Sequence, residues 1–82
     1  MNHEEVVSAI IGIVTPIAAG EQREIVEDTE LSAQLALDSL KVMDLIVAVE
    51  DRFDISIPLN ALADVRTIGD LAELVAKATG SV

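Results

Sequence analysis

Residues 35–58 read LALDSLKVMDLIVAVEDRFDISIP, and their spacing decides the fold. From Asp38 onward, Val42, Leu45, Ile46, Val49 and Phe53 recur at intervals of three, one, three and four. That rhythm sets them on one apolar face of a helix. Asp38 has the short acceptor side chain that a helix N-cap needs. Leu40, Met43 and Val47 fall off the core face, beside Asp44, Glu50 and Asp51. An exposed apolar stripe flanked by carboxylates is therefore expected. Ile57-Pro58 argues for extended backbone after the helix, because proline disfavours helical conformation in the residue before it.

The segments on either side read as helical too. Asn2 followed by Glu5 is a capping-box pattern that opens a first helix. Val6, Ile10, Ile13 and Ile17 form one stripe along it, with Val7, Ile11 and Val14 beside them. Pro16 leaves two readings: the helix ends near Val14, or it kinks and runs on to Gly20 as C′ residue. Residues 20–38 form a long acidic connection carrying Glu21, Glu24, Glu27, Asp28 and Glu30. A connection that long is uncommon in a compact domain unless it is functional. Ile25, Val26, Leu31, Leu35 and Leu37 are the residues expected to hold it to the core. Beyond Pro58, Asn60 is expected to cap a single turn, Ala61 to Asp64. A last helix is expected from Thr67, with Asp70 three residues on and Ile68, Leu71, Leu74, Val75 and Ala78 as its face. Lys77 suits its last turn, and Gly80 ends it. The pattern is all-α: three main helices and one short one in a small bundle.

The chain has 82 residues, the size of a single domain spanning 1–82. So short a chain buries only roughly 60% of its unfolded surface. Fifteen acidic residues against five basic ones give a net charge of −10. That balance excludes an electrostatic grip on nucleic acid or on an anionic membrane, and favours partners with basic patches. Phe53 is the sole aromatic, which argues against a base-stacking surface. Without cysteine there is neither a disulfide framework nor a thiolate metal site. No apolar run approaches a membrane span of about 20 residues. Glu4 and Glu5 stand where a secretory leader would need positive charge. A soluble, cytoplasmic, monomeric protein is expected.

Ser39 is the candidate functional residue. As a nucleophile for acyl transfer it would need a base within hydrogen-bond reach and an oxyanion hole. The one histidine, His3, lies next to the amino terminus and reads as a surface residue. No Gly-x-Ser-x-Gly elbow surrounds Ser39. A serine that is modified fits better than one that attacks, and no catalytic residue is expected. The plainer alternative is that Asp38-Ser39 merely begins a helix and that the carboxylates form a solvated face. The acidic loop lacks the Asp-x-Asp-x-Asp-Gly order of a calcium loop, so no metal is expected.

Leu37-Asp38-Ser39-Leu40, followed by Asp44-Leu45, Glu50-Asp51, Phe53 and Ile57-Pro58, closely resembles the acyl carrier proteins of fatty-acid and polyketide synthesis. Val65-Arg66-Thr67-Ile68 at the start of the last helix fits as well. The resemblance implies a four-helix bundle with the Asn60 turn as its third helix. It implies that Ser39, flanked by Asp38 and Leu40, receives 4′-phosphopantetheine from coenzyme A through a phosphopantetheinyl transferase. The arm would then hold acyl groups as thioesters. It further implies docking through Leu40, Met43, Asp44, Val47, Glu50 and Asp51 to basic patches on ketosynthases, acyltransferases or acyl-activating ligases. Ala36 replaces a glycine usual in the family, Gln34 a frequent acid, and Lys41 is unusual for a fatty-acid carrier. Lys41 leans the reading toward a specialised pathway. A carrier of aminoacyl or peptidyl groups shares the chemistry with different cargo. An unmodified acidic helical adaptor is the alternative of another class.

Overall fold

The computed structural model describes residues 2–18, 24–31 and 38–79. Its elements are α1 (His3–Ile17), α2 (Ser39–Phe53), a 3-10 helix (Leu59–Asp64) and α3 (Ile68–Thr79). The all-α expectation of three main helices and a short one holds.

Local chemistry sets the boundaries. At the start of α1, the Asn2 side chain accepts the Glu5 N–H at 2.8 Å, and the Asn2 N–H donates to Glu5 Oε1 at 3.2 Å. Of the two readings at Pro16, helix continuation is correct as far as Ile17, and the Ala18 N–H still reaches the Val14 carbonyl at 2.8 Å. Proline costs a helix the bond it cannot donate, here to Gly12. Gly12 is exposed, so solvent can serve that carbonyl. Gly20, Leu35, Leu37, Ala36, Gln34 and Gly80 lie outside the described residues.

α2 closes through a left-handed residue, Asp54 (φ 54°, ψ 53°). The Ile55 N–H returns to the Glu50 carbonyl at 3.1 Å, the backbone signature of a Schellman closure. At α3, Thr67 Oγ1 accepts the Asp70 N–H at 3.1 Å while Asp70 Oδ2 accepts from Thr67 and Arg66. Those bonds hold the Asp70 carboxyl below its ordinary range. Asn60 does not cap the 3-10 helix as expected. The turn begins two residues earlier, at Leu59, Pro58 holds the cap position, and no side chain bonds there. The Pro58 carbonyl takes the Ala61 N–H instead.

α1 packs on both α2 and α3. The core is aliphatic: Val6, Ile10, Val14, Leu45, Val49, Ile68, Leu71 and Val75 are fully buried. Burying one such side chain contributes about 1.5–3 kcal/mol. Three expectations need correction. Phe53, the last residue of α2, packs against the core but is only half-buried, and the Arg52 guanidinium lies 5.6 Å from its ring centre. The inner face of α3 takes in Ala72, while Ala78 is exposed near the helix end. Val26 is exposed, and among the described residues Leu31 and the partly buried Ile25 anchor the acidic segment.

That segment is pinned by its backbone as much as by its side chains. Glu30 and Thr67 form an isolated antiparallel bridge. The Ile68 and Gly69 N–H groups donate to the carbonyls of Thr29 (3.1 Å) and Glu27 (2.8 Å). Residues 27–29 thus serve donors that the first turn of α3 cannot satisfy internally. A Cβ on Gly69 would come within 2.8 Å of Glu27 Cγ, so glycine permits the close approach.

Glu27 also binds His3, Nε2 to Oε2 at 2.8 Å, tying the start of α1 to the same joint. The Glu27 hydrogen bond, with the charges of Glu27, Glu73 and Glu4, raises the His3 pKa. The protonated imidazole is therefore favoured in the fold. Its stabilisation is full below about pH 6.5, the ordinary histidine value, and is lost as pH rises through the raised folded value. Denaturant melts from pH 5.5 to 8.5 should show a decline that His3→Gln removes. An identical decline in the variant would show that the pair contributes nothing.

Candidate functional site

Ser39 is the first residue of α2 and is exposed at its amino-terminal end. Asp38 before it is extended (φ −81°, ψ 178°), and its carboxylate accepts the Lys41 N–H at 2.9 Å. The Asp38 carbonyl accepts the Val42 N–H at 2.9 Å. No described residue accepts from the N–H groups of Ser39 or Leu40. A helix start carries a partial positive charge of roughly half a unit, and open N–H groups there suit an anionic oxygen. The exposed hydroxyl of Ser39 thus stands beside donors that match a phosphate ester. No base is bonded to that hydroxyl among the described residues, and His3 is engaged with Glu27.

The outward face of α2 begins one residue later. Leu40 is 73% exposed, Met43 39% and Val47 60%. Asp44 and Asp51 are exposed among them. Leu40, Asp44, Val47 and Asp51 follow at intervals of four, three and four, so they share one side of the helix. At 1.5 Å per residue the strip runs about 16 Å. Buried Leu45, Ile46 and Val49 fix its orientation from the opposite side.

Glu50 stands apart from this group. It is half-buried, and its Oε2 accepts the Ile57 N–H at 2.8 Å. The bond folds the 54–57 segment back against α2. Hydrogen bonds to charged groups contribute about 1.5–3 kcal/mol, less when solvent reaches them. Glu50→Ala is therefore expected to cost about 1–2 kcal/mol in a denaturant melt, with Asp51→Ala within about 0.5 kcal/mol of wild type. Equal effects from the two would deny Glu50 that role.

A family model described as the phosphopantetheine attachment site matches residues 5–75. The chain belongs to the acyl carrier protein family. It is thus a non-catalytic carrier whose cofactor is covalently attached 4′-phosphopantetheine. A probable acyl carrier protein of Caulobacter vibrioides is 43% identical over 65 residues, 79% of this chain and 76% of that one. An acyl carrier protein of Prochlorococcus marinus is 32% identical over 75 residues, 92% of this chain and 94% of its own. A solved Mycobacterium tuberculosis structure assigned as an acyl carrier protein superposes with a TM-score of 0.79 at 33% identity, covering 88% of this chain and 96% of that one. Family membership sets aside the unmodified adaptor.

Two features of this carrier were missed by sequence reasoning. Thr29 is buried, and its Oγ1 accepts the Val26 N–H at 2.9 Å, forming the turn that presents the Glu27 and Thr29 carbonyls to α3. A lone threonine in an acidic stretch gives no signal of that. The inward bond of Glu50 was equally hidden, since its partner is a backbone group seven residues away. No helix among the described residues is long and apolar enough to cross a membrane. No group of three or more metal-ligating side chains occurs among them either.

Proposed function

We propose that Ser39 is the residue that holds the 4′-phosphopantetheine arm. The observation supporting this is an exposed hydroxyl at the first position of α2, directly after the Asp38 cap and beside the Ser39 and Leu40 N–H groups, which no described residue engages. Ser39 Oγ would bond to the phosphorus as the pyrophosphate bond of coenzyme A breaks and the adenosine bisphosphate leaves. No described residue is bonded to the Ser39 hydroxyl as a base, so a phosphopantetheinyl transferase would take its proton. The arm, once attached, supplies a thiol that carries acyl groups as thioesters. Asp38 caps the Lys41 N–H, and the buried inner face of α2 leaves the hydroxyl at solvent.

Docking would fall to Leu40, Met43 and Val47, with Asp44 and Asp51 as the steering charges. Exposed carboxylates raise the on-rate toward basic patches, and modest apolar contact keeps complexes short-lived. A carrier must leave each enzyme after each step. Glu50 contributes to the same face chiefly by holding the 54–57 segment. The partners would be ketosynthases, acyltransferases or acyl-activating ligases. The cargo would be acyl chains of the fatty-acid type or, given Lys41, of a specialised polyketide-type pathway. We read residues 1–82 as one cytoplasmic, monomeric carrier domain. Intact mass after incubation with coenzyme A, Mg²⁺ and a broad-specificity transferase, with peptide mapping, tests the central assignment. An added group mapped to Ser39 supports it, and one mapped elsewhere overturns it.

A further inference from the structure

Lys41 breaks a local rule. It occupies the first turn of α2, where the positive end of the helix dipole disfavours a cation. The same turn contains no acidic residue. Lys41 is exposed and forms no ion pair with any described residue. The Asp38 carboxylate is bonded to the Lys41 backbone N–H, at 2.9 Å. Arg52 differs: it lies in the last turn of α2, where the dipole favours it, and it covers Phe53. Lys77 likewise lies in the last turn of α3. Lys41 is two residues from Ser39 and so starts on the other side of the helix; helix side chains lean toward the amino terminus, and its four-carbon stem therefore leads to the helix end, where the group on Ser39 would sit.

We propose that Lys41 is a positioning residue for the phosphodiester on Ser39, its ammonium pairing with the phosphate oxygen charge at the open start of α2. The inference rests on Ser39 as the attachment residue. A phosphodiester keeps its negative charge throughout the physiological pH range, so the pair needs no titration. In the unmodified chain the lysine works against the dipole. Once the anion is attached, the same lysine restrains the root of the arm and limits the directions in which it leaves the helix.

The test uses wild type, Lys41→Gln and Lys41→Arg, each prepared unmodified and fully modified, with modification verified by intact mass. The melting temperature of the modified form minus that of the unmodified form is compared at low and high salt. The ³¹P resonance of the phosphodiester is recorded alongside. An exposed ion pair in a domain this size should make that difference about 1–5 °C smaller in Lys41→Gln at low salt. High salt should erase the gap. Lys41→Arg should keep the wild-type difference, and Lys41→Gln should shift the ³¹P line. If all three proteins gain the group on Ser39 yet show equal melting differences and the same ³¹P line, the role of Lys41 is overturned while that of Ser39 stands. If wild type gains no group on Ser39, both fall.

Discussion

Ser39→Ala is expected to abolish the gain of one phosphopantetheine mass while leaving the fold intact. The two parts of that result have separate physical origins. The loss should be complete because the bond to phosphorus needs an oxygen at that position and alanine has none. The fold should survive because Ser39 is exposed and its side chain makes no hydrogen bond with a described residue. The cap belongs to Asp38, whose carboxylate still accepts the Lys41 N–H. A denaturant melt should therefore fall within about 0.5 kcal/mol of wild type. Ser8 and Ser56 are exposed as well, and they are the natural controls. Ser8 lies within α1 and Ser56 in the segment after α2, so neither hydroxyl meets an open helix start. A Ser39→Ala protein that still gained the group would move the attachment to another hydroxyl and remove the reason for reading the mouth of α2 as the site.

The parts of this structure that were legible in the sequence are those built from local, repeating chemistry. The Asn2–Glu5 and Thr67–Asp70 caps are pairs three residues apart, and such pairs satisfy orphan N–H groups wherever a helix begins. The inner face of α2 followed from apolar spacing alone, and its exposed stripe was the remainder. What escaped depends on contacts distant along the chain. The joint at Glu27 unites the start of α1, the acidic segment and the first turn of α3 through His3, Glu27 and Gly69. Nothing in the order of residues shows that an acid in an acidic run will find those partners. Glu50 was read as a docking charge because periodicity put it near the outer stripe, although half-burial and the Ile57 N–H give it an inward task. Phe53 was read as core because its spacing puts it on the inner face of α2, but at the last position of the helix it packs on the core and stays only half-buried.

Phe53 and Leu45 supply the second strong prediction, a contrast within one helix. Leu45→Ala should cost about 3–5 kcal/mol, because Leu45 is fully buried and truncation leaves a cavity that packed neighbours fill only partly. Phe53→Ala should cost less, about 1–2 kcal/mol, since solvent and Arg52 already share its ring. A domain of this length has roughly 4–12 kcal/mol of stability in total. Leu45→Ala would therefore leave a fraction of the molecules unfolded, and its melting temperature should fall by more than about 10 °C. Function follows by the same route. Leu45, Ile46 and Val49 hold the inner side of α2, and that grip aims Ser39, Leu40, Asp44 and Val47 at solvent. Transferase modification of Leu45→Ala should be impaired near its melting point and recover on cooling, whereas Ser39→Ala stays unmodified at every temperature. Equal costs at the two positions, or a larger one at Phe53, would mean that α2 buries its carboxy-terminal end rather than its centre, and the outward strip would then have to be redrawn.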